Sequence, residues 1–239
     1  MSVRIKLLAF LLTALVNVSA EADVLKPVDS TLSDYAALLR AAGYELYSFD
    51  ISDLIDNQYT ITVTVREYEG DSLINDNVSG WPRAFSNRTM LSEFSEEDRN
   101  SIKREDMYDA EKGIYTAAEK INIGFLPKAD NINGGKNICV LVNLPQMGDT
   151  QIQLDLHPIF FSGNPTPIYR YSTRPFATTQ WKENEFTPLV LLGSAWYDQK
   201  FNVLRFCGES EIAPDLSSDI LKDTPHFYVI GATVTKQEN

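Results

Sequence analysis

Residues 59–68 read YTITVTVREY. Ile61, Val63 and Val65 fall on one side of this stretch, and Thr60, Thr62, Thr64 and Arg66 on the other. Strict alternation with β-branched residues on both sides predicts a half-buried antiparallel strand. Just upstream, residues 44–51 (YELYSFDI) alternate as well. The connection at 53–58 is short and turn-rich at its end. The pair therefore reads as a hairpin, to which the rest of a sheet is added.

Before this pair, Thr31-Leu32-Ser33-Asp34 has the spacing of a capping box. Leu32, Tyr35, Ala36, Leu38, Leu39 and Ala42 come next at helical spacing, and Gly43 is a suitable terminator. One amphipathic helix of about three turns is expected, its apolar stripe on a sheet face. After the pair, residues 69–71 and 76–82 carry turn and loop chemistry, with Trp81 as a core anchor of its loop.

Residues 92–121 differ in composition. Ser95-Glu96-Glu97-Asp98 is a second capping box, and a further helical piece fits 108–120 despite Gly113. The carboxylates from Glu93 to Glu111 read as a solvated helix face. From Lys136 onward strands and turns alternate. Residues 137–144 (NICVLVNL) look like a central strand covered on both faces. Residues 150–161 alternate, with Ile152, Leu154 and Leu156 inward. Residues 167–177 (PIYRYSTRPFA) suit a sheet edge. Strands are also expected at 187–197, 201–207 and 226–235, with Asp198-Gln199-Lys200 as a hairpin loop. The resulting fold class is α+β: mostly antiparallel β, sandwich-like or a curved sheet, with two or three helices.

The first residues bear on compartment. Arg4 and Lys6 precede an apolar run at 7–18, and Ala20-Glu21-Ala22 is a small-x-small cleavage pattern. Residues 1–22 thus read as a signal peptide, with an apolar run shorter than the ~20 residues of a membrane span. The remaining 23–239 reads as a single β-rich domain with the charged helical insertion at about 92–121. No second apolar stretch of spanning length is present, so no integral membrane segment is expected after leader removal. The expected location is extracytoplasmic: periplasm, cell surface or secreted. The whole chain holds 21 basic and 33 acidic residues, a net charge of −12. Such a surface argues against nucleic acid as a partner. In an oxidising compartment Cys139 and Cys207 are compatible with a disulfide, but a domain of this size does not need one, and Cys139 suits a buried thiol in its apolar run.

Motifs that carry chemistry are sparse. His157 and His226 each neighbour a proline, and no HExxH or CxxC spacing accompanies them. Both read as strand-end imidazoles held by hydrogen bonds, and no metal or cofactor is expected. No GxSxG elbow supports a serine triad, so no catalytic residue is assigned. Gly134-Gly135-Lys136 resembles the end of a phosphate loop, but Asp130 stands where that pattern needs glycine. Residues 130–134 resemble a calcium loop without its alternate acids. The one suggestive cluster is aromatic. Tyr169, Tyr171 and Trp181, with Arg170 and Arg174, sit in a proline-punctuated segment that suits a platform for a sugar ring or a partner protein. The competing reading is an edge strand with buried aromatics and arginines reaching out to water.

The leader, the β content, the acidic surface and the run YELYSFDISDLIDNQYTITVTVREYEGDSLI together resemble a family of secreted, uncharacterised proteins of Bacteroides-type gut bacteria, a domain-of-unknown-function family. The resemblance implies a periplasmic or surface setting and supplies no site residues. In a eukaryotic secretory route, the sequons at Asn77 and Asn87 would matter. The expected function is a secreted, non-catalytic binding module for a glycan or a protein. The alternative is a secreted hydrolase acting on a glycan or another extracellular polymer.

Overall fold

The structure is a computed structural model that describes residues 31–78, 82–126, 135–206 and 208–238. The leader, Trp81, the 130–134 loop and Cys207 lie outside the described residues, and so does the question of a Cys139–Cys207 bond. By compactness the chain divides between Tyr35 and Ala36. The few described residues before that point only begin a helix, and every strand belongs to the unit from Ala36 onward.

In chain order, α1 (Leu32–Ala41) leads to β1 (Glu45–Asp50), β2 (Tyr59–Glu69), β3 (Ser72–Asn75), β4 (Arg83–Ser86) and β5 (Arg88–Met90). The short α2 (Glu96–Ser101) precedes β6 (Ile114–Ala117), β7 (Lys120–Leu126), β8 (Asn137–Leu144) and β9 (Gly148–Asp155). Next come β10 (Phe160–Phe161), β11 (Asn164–Pro165), β12 (Tyr171–Pro175), β13 (Phe186–Ser194), β14 (Trp196–Asp198) and β15 (Val203–Arg205). Helix α3 (Asp219–Asp223) and β16 (His226–Lys236) close the chain.

Two antiparallel sheets make the body. One runs β1-β7-β8-β9; the other runs β12-β13-β16-β2-β3, with β4 also on β2. Ile121, Ile123 and Phe125 of β7, Val140, Val142 and Leu144 of β8, and Ile152 and Leu154 of β9 meet Ile61, Val63 and Val65 of β2 and Ile230, Ala232 and Val234 of β16 in one apolar layer. Each such side chain, removed from water, contributes about 1.5–3 kcal/mol. The alternation in 59–68 and 150–156 therefore places the residues expected inward at this layer. The second sheet is covered on its other face too: its Leu191, Phe227 and Val229 pack with Phe176, Ile212 and the α3 residues Ile220 and Leu221. That double cover explains the near-continuous apolar character of β13 and β16.

Three expectations about strands and the charged stretch are corrected. Strands β1 and β2 are not a hairpin, because β1 pairs with β7 while β2 pairs with β16. Their connection holds a 3-10 turn at Ser52–Leu54, with Ile51, Leu54 and Ile55 buried, so it crosses between sheets and does not close a tight loop. Strand β8 is buried on one face only, that of Val140, Val142 and Leu144. In the charged stretch, only Glu96–Ser101 is α-helical, with Ser95 accepting the Asp98 N–H as its cap. The residues expected as a second helix form β6 and the start of β7, because Ile114, Ala117 and Ile121 find buried positions as strands.

The edge position of 167–177 and the Asp198 hairpin are both present: β12 ends its sheet, and β14 pairs with β15. Helix α1 terminates at Gly43 as expected, with φ of 85° and the Tyr44 N–H donating to the Leu39 carbonyl. Its apolar stripe is not covered, however; Leu38 and Leu39 are 67% and 52% exposed. Among the described residues no helix is long and apolar enough to cross a membrane.

Candidate functional site

The core-facing rows of β2 and β16 change character at one end. On β2 the row reads Ile61, Val63, Val65 and then Glu67. On β16, read backward, it is Val234, Ala232, Ile230, Tyr228 and His226. Antiparallel register sets Tyr228 opposite Glu67 and His226 opposite Glu69. An apolar layer thus ends in carboxylate, phenol and imidazole. The edge strand β12 adds Tyr171, and the segment leaving β9 adds His157.

Glu67 Oε1 is the meeting point. It lies 3.0 Å from His226 Nε2, 3.0 Å from the Tyr228 hydroxyl and 3.9 Å from His157 Nε2. The Tyr228 hydroxyl is also 2.7 Å from the Asp155 main-chain oxygen, two acceptors for one proton. The Tyr171 hydroxyl accepts the His157 main-chain N–H at 3.0 Å and stands 2.6 Å from His226 Nδ1. Tyr171 therefore donates to Nδ1, and His226 carries its proton on Nε2, where Glu67 receives it. The two imidazoles stack with centroids 3.8 Å apart.

Burial sets the charge state of this network. It pushes the His226 pKa down against the opposing pull of Glu67, so the imidazole is held neutral. Burial likewise raises the pKa of Tyr171, and burial together with Glu67 raises that of Tyr228, so both stay protonated donors. Tyr228→Phe removes the donor that both Glu67 and the Asp155 carbonyl use. A loss of about 1–2 kcal/mol in urea-unfolding stability is the expected outcome.

Above the pair lies a cleft of about 550 Å³, lined by Glu69, His157, Phe160, Trp196, Tyr197 and Asp223 among others. Its serine, Ser194, turns its Oγ to the main-chain N–H of His226, not to the imidazole. Among the described residues, the only hydroxyl hydrogen-bonded to either imidazole is that of Tyr171. The donor atoms of Glu67, His157 and His226 all lie within 4.8 Å of one another.

Of the aromatic and arginine residues marked in the sequence, only Tyr171 joins this network, beside the two histidines. Tyr169, Tyr171 and Trp181 each pack partly buried against the main core. The Trp181 indole donates to the Asp50 carbonyl at 3.0 Å and lines a separate cavity with Asp50 and Asp53. Arg170 is exposed, its guanidinium 4.2 Å from the centre of the Phe206 ring. Arg174 donates to the Glu209 carbonyl, to Ser172 Oγ and to the Phe206 carbonyl. Sequence reading missed Glu67 altogether. The signal was present: Glu67 continues the inward row of Ile61, Val63 and Val65, where a carboxylate is out of place without a partner.

A family model described as Domain of unknown function (DUF5041) matches residues 14–236. This agrees with the resemblance to a domain-of-unknown-function family read from the sequence, and bears on neither source nor secretion. No curated protein and no solved structure matched the chain.

Proposed function

The chain belongs to the DUF5041 family, and we propose that it is an extracytoplasmic, non-catalytic module that binds a glycan in the cleft above His157 and His226. The observation that carries this reading is the make-up of the cleft. Phe160, which is 56% exposed, Trp196 and Tyr197 supply aromatic faces, with Phe161 braced edge-on against Tyr197 at 4.5 Å. Flat rings with polar neighbours suit the apolar faces of sugar rings. Glu69 and Asp223 supply acceptors for hydroxyl groups. The net charge of −12 disfavours an anionic ligand. Export rests on the leader pattern in residues 1–22.

A glycan array with calorimetry on the chain from Asp23 onward tests the reading. Trp196→Ala and Phe160→Ala are each expected to weaken binding about tenfold or more, as loss of a stacking face does. Glycan affinity unchanged in both variants would discard the cleft as the binding surface.

The Tyr171–His226–Glu67 hydrogen-bonded relay favours one second reading, a hydrolase that uses this chain of groups for proton transfer. Release of new reducing ends by the native chain, absent in Glu67→Gln, would put that reading first.

A further inference from the structure

We propose that Glu67, His157 and His226 form a binding site for a divalent transition metal of the zinc class. The Nε2 atoms of both histidines face the same oxygen, Glu67 Oε1, at 3.0 and 3.9 Å. Both Nδ1 atoms face a different group: Tyr171 at 2.6 Å for His226, Glu69 at 3.8 Å for His157. Two imidazoles and a carboxylate bring their donor atoms together, and an oxygen stands behind each imidazole at the position from which proteins orient metal-ligating histidines.

Protein groups satisfy both ring nitrogens of His226, whereas the ring of His157, whose side chain is 40% exposed, meets carboxylates only at longer range. Both ring nitrogens of His226 have partners at hydrogen-bond distance, as a structural imidazole needs. Those of His157 stand 3.9 and 3.8 Å from carboxylate oxygens, outside that reach. A ring stacked on another imidazole, with a carboxylate 3.8–3.9 Å from each nitrogen, is placed for a cation that would draw the donors together. Tetrahedral coordination with bonds of about 2.0–2.1 Å sets donor atoms roughly 3.3 Å apart. The observed spread, within 4.8 Å, closes to this when the partly exposed His157 ring turns out of its stack on His226, so that the two Nε2 lone pairs converge.

Protons balance on metal binding. Metal on His226 Nε2 requires that atom's proton to move to Nδ1, where the Tyr171 oxygen turns from donor to acceptor. Nitrogen donors with one carboxylate select zinc-like ions over calcium or magnesium, which take oxygen ligands. Three protein ligands leave a fourth position. Since His157 and His226 both line the cleft, that position is open to whatever enters there.

The test uses the chain from Asp23 onward, untagged and stripped with chelator, titrated with zinc chloride by calorimetry in the absence of any glycan. Binding of one equivalent is expected, together with visible absorption bands on loading with cobalt(II). His157→Ala and Glu67→Gln are each expected to weaken zinc binding at least a hundredfold. Tyr171→Phe and Glu69→Gln are expected to weaken it about 10–100-fold, as loss of an orienting partner does. His226 is buried and its replacement risks the fold, so partly exposed His157 carries the test, with circular dichroism confirming that the variant is folded. No saturable binding by the native chain would overturn the proposal. So would binding that survives unchanged in both His157→Ala and Glu67→Gln, which would mark an adventitious surface site. Because no glycan is present, the outcome is independent of the Trp196 and Phe160 experiments.

Discussion

Asn87→Ala is expected to destabilise the protein by about 2–4 kcal/mol, because it removes three hydrogen bonds to main-chain groups at once and leaves the buried Tyr59 N–H without its acceptor, an unpaired group of that kind costing roughly 1–3 kcal/mol. Asn87 is 0% exposed. Its Oδ1 accepts the Tyr59 N–H at 2.8 Å; its Nδ2 donates to the Leu54 carbonyl at 2.7 Å and to the Asn57 carbonyl at 3.0 Å. Its own main chain continues the link, donating to Tyr59 and accepting from Ala118. The amide thus pins the crossing segment between β1 and β2, where the backbone has left one sheet and not yet joined the other. Urea unfolding monitored by tryptophan fluorescence measures the loss. Asn87→Asp separates the causes: it preserves volume and the Tyr59 acceptor but removes both donors and buries a carboxyl group. A loss at least as large as that of Ala is expected, whereas near-native stability for Asp would show that Ala acts only by leaving a cavity. The same burial makes the Asn87 sequon unusable for glycosylation once the chain has folded, since every contact of its amide is internal.

The crossing segment also shows what the sequence could and could not reveal. Alternation in 59–68 and 150–156 is a local signal, imposed by the pleat, and the buried faces result from it directly. Partner choice is not local. Residues 44–51 and 59–68 look like a hairpin because both alternate and a short link joins them. Yet the buried Ile51, Leu54 and Ile55 in that link show a chain passing through the interior. Residues 108–120 carry enough helix-forming composition to suggest a helix. Tertiary burial of Ile114 and Ala117 in a β5–β6 pair outweighs that weak propensity. The site was legible only in fragments. Tyr171 stood out as an aromatic, and the two histidines as rare residues. What joins them is the stacking of one sheet on another, which brings His157 against His226 with Glu67 beside both. No spacing along the chain encodes that meeting, although a carboxylate on an inward row is the kind of local inconsistency that marks a functional place.

The second large effect is expected at Gly231. Gly231→Ala should cost about 3 kcal/mol or more, at the upper end of what overpacking does. A Cβ built there would stand 2.5 Å from the Thr187 main-chain oxygen and 2.5 Å from Phe186 Cζ. The crowding has a backbone cause. Gly231 pairs with Pro188, and the register between β13 and β16 shifts between Pro188 and Val190. Proline cannot donate to the ladder, and the irregularity draws β13 in over the Cα of Gly231. Neither neighbour yields freely. The Thr187 carbonyl belongs to a strand packed on both faces, and the Phe186 ring is held under the Arg66 guanidinium at 3.8 Å. At about 2–4 °C per kcal/mol for a chain of this size, the melting temperature should fall by roughly 6–12 °C. The double variant Gly231→Ala with Phe186→Ala divides the two contacts. If the carbonyl is the harder obstacle, removing the ring leaves most of the penalty in place. Full recovery in the double variant, relative to Phe186→Ala alone, would instead show that the ring blocks the methyl group and that the strand itself can give way.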